Sequence, residues 1–215
     1  MYLSWAAYYE GRTDSAYFNV LIPRLLEDIL VDEGIRPYDV GITPSVEFGM
    51  NNRAFDAAAS EICRRIAEFH LLFVHADYGG RALQQTIAER REALIQAAAF
   101  ECAFDESTAV LLSPKKELES WAIADGQAVQ AAFGVTSLPD GLIPLTAHQA
   151  ETVADPKVVL SDISRYVGRR RHDGNAMLVR IAQEQRFAVL RGAASFREFE
   201  ESLKLALRHI GCIAQ

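Results

Sequence analysis

The sequence predicts an α/β protein: a doubly wound, mainly parallel four-stranded sheet with flanking helices and a C-terminal helical extension. Two observations carry that prediction. Short apolar runs at residues 2–9 (YLSWAAYY), 71–76 (LLFVHA) and 108–112 (TAVLL) have the length and continuity of strands buried on both faces. Between them lie segments whose apolar residues recur every three or four positions, the period of a helix with one buried face. Strand and helix alternating over residues 1–125 call for a parallel sheet with helical crossovers.

Each element follows from local signals. Residues 2–9 run into Glu10-Gly11, as a buried strand ending in a turn does. From Asp14, a residue suited to capping, to about Glu33, Tyr17, Phe18, Leu21, Ile22, Leu25, Leu26, Ile29 and Leu30 trace a helical stripe, with Pro23 expected to kink it. Residues 38–43 alternate as a second strand, and residues 55–69 are periodic through Ala58, Ile62, Ile66 and Phe69. The run 71–76, broken only by His75, has the pattern of a central parallel strand and ends at the turn Asp77-Tyr78-Gly79-Gly80. A long helix over 82–100 leads to the strand at 108–112, which Ser113-Pro114 stops ahead of a helix over 117–125. Residues 126–156, with Gly134, Pro139, Gly141 and Pro144, read as a loop-rich connection. Helices are expected over 156–166, 175–184 and 195–210, the last opened by a capping box of Ser195 and Glu198. The organisation is an α/β domain over 1–125, with 126–215 as connection and basic helical extension packed on it.

Composition narrows the class. At 215 residues, 50% hydrophobic and 24% charged, with a mean hydropathy of +0.01, the chain excludes collagen-like, disordered and disulfide-scaffold readings. No apolar run approaches the ~20 residues of a membrane-spanning helix, and Glu10 and Arg12 come too early for a secretory signal. A cytoplasmic protein with no membrane partner is expected. Cys63, Cys102 and Cys212 share no C-x-x-C spacing and read as buried thiols.

Charge is divided unevenly. The net charge is −7, but residues 157–215 carry 11 basic and 6 acidic residues, leaving 11 basic and 23 acidic for residues 1–156. One part can hold a polyanion while the other concentrates carboxylates, as a metal-dependent phosphoryl-transfer enzyme requires; two differently solvated helical surfaces would give the same split.

The polar residues at the strand ends are where chemistry is expected, because ligands of such sheets bind at the carboxyl ends of the strands. Glu10-Gly11-Arg12-Thr13-Asp14 sets a carboxylate, a tight turn, a guanidinium and a helix N-terminus together, a place for a metal and a phosphate. Asp77 ends the third strand, and two acidic groups from separate strands can share a hard divalent cation. His75 lies two residues before it, either a ligand or a satisfied core histidine. Lys115 and Lys116 follow the fourth strand, and Arg169-Arg170-Arg171-His172, between Gly168 and Gly174, makes a basic turn suited to a phosphate backbone. Trp121 shares a helical stripe with Leu118 and Ala122 and is read as core.

Taken together, Glu10-Gly-x-Thr-Asp, the acidic turn at Asp77, Pro114-Lys-Lys-Glu-Leu-Glu119-Ser-Trp121-x-x-x-Asp125 and Asp155-Pro156-Lys157 with Leu160 resemble the small stand-alone Toprim-like proteins of domain-of-unknown-function family 4276. That family is related in fold to the nuclease domains of overcoming-lysogenization-defect proteins. The resemblance implies a Toprim-like sheet and a Mg2+ or Mn2+ site for phosphodiester chemistry, with Glu10 and Asp77 as ligands and Glu119 as the family's glutamate before tryptophan. One position departs: where the fold usually has Asp-x-Asp, this chain has His75-Ala76-Asp77. Imidazole suits Mn2+ and other transition ions better than Mg2+.

Two functions are expected from these residues. The first is a divalent-metal-dependent nuclease acting on DNA or RNA, a candidate effector in phage defence. Its catalytic residues would be Glu10, Asp77, Glu119 and Lys115, its metal ligands Glu10, Asp77, His75 and Glu119, and its phosphate contacts Arg12, Lys116, Arg169, Arg170 and Arg171. The second is a catalytically degenerate module that binds nucleic acid or a partner ABC-type ATPase as sensor or adaptor.

Overall fold

The computed structural model describes residues 1–9, 11–49, 55–75, 92–144, 146–168 and 174–214. Among these, the apolar runs form strands β1 (Tyr2–Leu3), β2 (Trp5–Tyr8), β3 (Asp39–Val40), β4 (Val46–Phe48), β5 (Leu71–His75) and β6 (Ala109–Leu112). Four of them build one sheet in the order β4-β2-β5-β6, every neighbouring pair parallel. The protein is thus α/β, with a parallel four-stranded sheet flanked by helices.

Strand order dictates where the helices go. From β2 the chain moves outward to β4 through α1 (Arg12–Glu33), then returns past β2 to β5 through α2 (Phe55–Arg65). Right-handed crossovers running in opposite directions must lie on opposite faces of a sheet. The pleat supplies both faces with apolar side chains. Trp5, Ala7, Tyr9, Leu71, Phe73, Val110 and Leu112 join the core under α1, while Ala6, Tyr8, Leu72, Val74 and Ala109 join a second core under α2 and α3 (Ala93–Cys102). Burying both faces is why these runs are continuously apolar.

The second strand of the sheet is β4, not the alternating segment 38–43. That segment contributes only β3, which pairs with β1 outside the main sheet, Tyr2 opposite Asp39 and Leu3 opposite Val40. The cause is the Trp5 indole, whose Nε1–H donates to the Gly41 carbonyl at 2.7 Å and bends the chain around the ring. Gly41 allows this because a Cβ there would stand 2.9 Å from the Tyr2 hydroxyl. Ser4 separates β1 from β2: its N–H and hydroxyl both face His70 Nδ1, at 3.1 and 2.8 Å.

The α1 helix starts at Arg12 with Gly11 as its cap, two residues before Asp14, and it continues through Pro23. After β6 come α4 (Glu119–Ala122) and α5 (Gly126–Phe133), so the expected helix over 117–125 is two helices divided at Asp125. The division is chemical. Asp125 is fully buried, caps α5 through the N–H groups of Gln127 and Ala128, and receives the Arg186 guanidinium at 2.8 and 2.6 Å. Burial pushes its carboxyl up, but the Arg186 and backbone hydrogen bonds outweigh burial and hold it below the ordinary range. Within 126–156, expected to be loop-rich, α5 and α6 (Ala147–Ala150) are helical.

The C-terminal helices α7 (Pro156–Tyr166), α8 (Gly174–Glu184), α9 (Phe187–Leu190) and α10 (Ala194–His209) complete the α1 face. Gln185 ties this layer together: it accepts from the Tyr17 hydroxyl at 2.6 Å and donates to the Trp121 carbonyl at 2.6 Å. Arg24 on α1 donates to the carbonyls of Ala182 and Gln185 at the end of α8, where the helix leaves carbonyls to satisfy. The α10 N-terminus has no Ser195–Glu198 capping box. Its cap position is Ala193, and the buried Glu151 carboxylate instead accepts from the N–H groups of Ala194 and Ser195, both at 2.8 Å. A distant carboxylate replaces the local cap because it also takes the Ser195 hydroxyl at 2.5 Å, leaving that oxygen to accept from Trp121 Nε1 at 2.8 Å.

Two of the cysteines correct the sequence reading. Cys63 of α2 and Cys102 of α3 are joined by a disulfide, with Cα atoms 5.6 Å apart, while Cys212 is a buried thiol. Sequence spacing gave no sign of the pair because helix packing, not proximity in the chain, brings them together. No helix among the described residues is long and apolar enough to cross a membrane.

Candidate active site at the carboxyl ends of the strands

The central strands β2 and β5 are direct neighbours, with Tyr8 opposite Val74, and the chain leaves them in opposite directions along the sheet. Such a reversal opens a crevice at the carboxyl ends, where open α/β sheets bind their ligands. Glu10 and Asp77, expected to be metal ligands, follow these two strands in sequence and lie outside the described residues. So do Arg169, Arg170 and Arg171. The described crevice is built from Tyr9, Asp14, Glu47, His75, Ser113 and the turn after β6.

Asp14 and His75 meet inside it. Asp14, on the first turn of α1, accepts the Gly11 N–H at 2.8 Å, and the same Oδ2 lies 3.4 Å from His75 Nδ1. A carboxylate in the first turn of a helix of 22 residues is favoured by the positive end of the helix dipole. His75 is fully buried on the α1 side of the sheet, its ring 5.0 Å from that of Phe18. Phe18 in turn packs edge-on against Trp121 at 6.1 Å, and Trp121 is core, among Phe196 and Phe199.

A second polar cluster lies beside it, which no sequence motif marks. Glu47 of β4 accepts from the Ser15 hydroxyl at 3.0 Å and from the Asn19 amide, while Asn19 Oδ1 accepts from the Tyr9 hydroxyl at 2.7 Å. Burial pushes the Tyr9 phenol well up, and the Glu47 and Asp14 carboxylates push the same way. The sequence signal available was Ser15 and Asn19, polar residues one helical turn apart beside an apolar stripe. Their partner Glu47 lies on β4, a strand of three residues that sequence periodicity does not show. Gly49, at φ +99°, closes the strand end; a Cβ there would stand 2.7 Å from the Tyr9 carbonyl oxygen.

On the β6 side, Ser113 is buried, and its hydroxyl has no hydrogen-bond partner among the described residues. Lys115 is exposed and Lys116 is not available in the same way: its Nζ donates to the Val153 carbonyl at 2.6 Å. Lys116 also holds φ at +73°, a conformation costly for a residue with a Cβ. Arg12 is exposed at the start of α1. Glu119 opens α4 and is only 4% exposed. It lines a cleft of about 950 Å3 whose walls are Thr13 at the start of α1, Phe133, and the facing sides of α7 and α8.

Oxygen donors predominate at this end of the sheet, which is the ligand chemistry Mg2+ takes. Asp14 and Glu119 supply carboxylates, and the buried Ser113 hydroxyl supplies a further oxygen with bonding capacity to spare. Among the described residues, no three His, Cys, Asp or Glu side chains lie close enough to hold one ion. A divalent site here therefore requires Glu10 or Asp77 to complete it. Compared with known proteins, the chain matches no family model, no curated protein and no solved structure.

Proposed function

We propose that the protein is a divalent-metal-dependent phosphodiesterase acting on DNA or RNA. The observation that carries the reading is the pairing of β2 with β5 in register at the reversal of strand order, so that two strands each followed two residues later in the sequence by an acidic residue, Glu10 and Asp77, end side by side. The buried Glu119 carboxylate at the head of a large cleft supports it.

In this reading Glu10, Asp77 and Glu119 would hold Mg2+ or Mn2+. The ion, when bound, would acidify a water and offset charge on the phosphate. Glu10 orients the attacking water and accepts its proton, and the exposed Lys115 ammonium neutralises a non-bridging phosphate oxygen. The new bond joins the water oxygen to phosphorus. The bond to the departing ester oxygen breaks, and that oxygen takes a proton from solvent. His75 acts on this site only through Asp14, as a positioning residue.

Cleavage of labelled single- and double-stranded DNA and RNA, with Mg2+, Mn2+ or EDTA, tests the reading. Wild type should cut only with metal, and Asp77→Ala should not cut. A second reading, a non-catalytic module that binds nucleic acid or an ABC-type ATPase, draws on one observation: the side chain at position 75 is buried against Phe18 and Asp14. It predicts nucleic-acid binding without cleavage under every metal condition.

A further inference from the structure

We infer that the cleft headed by Glu119 is a nucleotide subsite that seats one unpaired nucleotide beside the scissile phosphate, making single-stranded nucleic acid the substrate; this rests on the phosphodiesterase reading. The α7 helix carries the argument. Its buried residues are Pro156 and Ile163, whereas Lys157, Leu160, Ser161, Ser164 and Arg165 line the cleft. These positions follow the three-and-four spacing of one helical face. A helix in a folded domain ordinarily turns its continuous stripe to the core. In α7 that stripe is Pro156, Val159, Leu160 and Ile163, and beside it Lys157, Ser161, Ser164 and Arg165 turn cations and hydroxyls toward the cleft.

The lining matches a nucleotide in parts. Phe133, Met177 and Leu178, core residues no more than 5% exposed, form the apolar floor of the cleft, against which the edge of a base can rest. Ser161 and Ser164 supply hydroxyls for its polar edge. Lys157 and Arg165 supply positive charge for the adjoining phosphate. Each is held by a surface carboxylate, Glu117 at 3.1 Å and Asp162 at 2.8 Å, and their side chains are 56% and 76% exposed. Pairs this exposed are weak enough to exchange for a phosphate.

Size and position select the substrate. At about 950 Å3 the cleft is at the upper end of small-ligand sites and has no room for a duplex. Thr13, in the lining, immediately precedes Asp14, which faces His75 at the end of β5, so a nucleotide seated in the cleft lies beside the strand ends. A paired base would have to leave its helix to enter, which favours strands already unpaired.

Fluorescence anisotropy in EDTA, with a labelled single-stranded oligonucleotide (DNA and RNA in separate arms) and a duplex of equal length, tests the subsite apart from catalysis. Two variants at exposed positions accompany wild type: Ser161→Trp, which narrows the cleft without changing charge, and Arg165→Glu. Expected are at least tenfold tighter binding of the single strand than the duplex, and roughly tenfold weaker single-strand binding in each variant, with melting temperatures unchanged. Equal or tighter binding of the duplex overturns the inference. So does single-strand binding that both variants leave intact, or its absence in wild type. Loss of metal-dependent cleavage with this binding pattern preserved counts against the phosphodiesterase reading alone.

Discussion

His75 Nδ1 lies 3.4 Å from Asp14 Oδ2, in a fully buried position between the sheet and α1. The imidazole faces a carboxylate already present on α1. An aspartate at position 75 would set two buried carboxylates side by side, and one would have to stay protonated. His75→Asp should therefore lose about 3–5 kcal/mol of stability, the cost of removing the imidazole from a buried pair and burying a second carboxyl group beside Asp14. Thermal melts with and without Mg2+ check this. The loss should persist in Mg2+; recovery of the wild-type melting temperature on adding Mg2+ would place position 75 among the ligands.

Asp125 and Arg186, neither of which lines the cleft, give a pH-dependent element. Hydrogen bonds from Arg186 outweigh burial and hold the Asp125 carboxyl below its ordinary value, so its contribution is complete above the unfolded pKa and is lost as pH falls through the folded one. Asp125→Asn should cost about 2–4 kcal/mol at neutral pH, and the difference from wild type should shrink below about pH 4. Denaturant titrations at pH 7 and pH 3 measure both. An equal difference at the two pH values would show that the charge is not what matters there.

Glu151 caps α10 from outside the helix, binding two backbone N–H groups and the Ser195 hydroxyl. Glu151→Gln keeps the size but loses the charge at a helix N-terminus and turns a donor toward donors. Destabilisation of about 2–3 kcal/mol is expected by chemical denaturation. Glu198→Gln, on the same helix, should change stability by less than about 0.5 kcal/mol. Comparable losses in the two variants would restore the local cap.

The Cys63–Cys102 disulfide closes a span of 39 residues between α2 and α3. Chain-entropy arguments place its contribution at roughly 3–4 kcal/mol. Reductant should lower the melting temperature of wild type and leave that of Cys63→Ala unchanged. If wild type melts identically with and without reductant, the link adds nothing.

Strands buried on both faces were plain in the sequence, because runs such as Leu71–His75 need no partner to reveal them. The β4 strand was missed: at three residues, closed by Gly49 and preceded by Pro44, it is shorter than any periodicity can register. Segment 38–43 misled because its alternation reflects packing around Trp5 and Tyr2 and not the main sheet. Polar contacts fared by distance along the chain. Asp14 was legible as a helix-start residue, but its neighbour His75 is far off in sequence, as are Glu47 for Ser15, Arg186 for Asp125 and Glu151 for Ser195. Side chains of this kind acquire their chemistry only when the fold assembles, so Glu119 could be singled out while the cleft it heads could not.

Calorimetric titration with Mn2+ of wild type, Glu10→Ala and Asp77→Ala tests the central claim most directly, since it reads ion binding without requiring a substrate. Wild type should bind one or more ions with measurable heat and melt higher when loaded, each substitution should abolish or greatly weaken binding, and Mg2+ should compete. Equal and negligible heats from all three proteins, or binding that both substitutions leave unchanged, would contradict a metal site at the β2 and β5 strand ends and with it the phosphodiesterase reading.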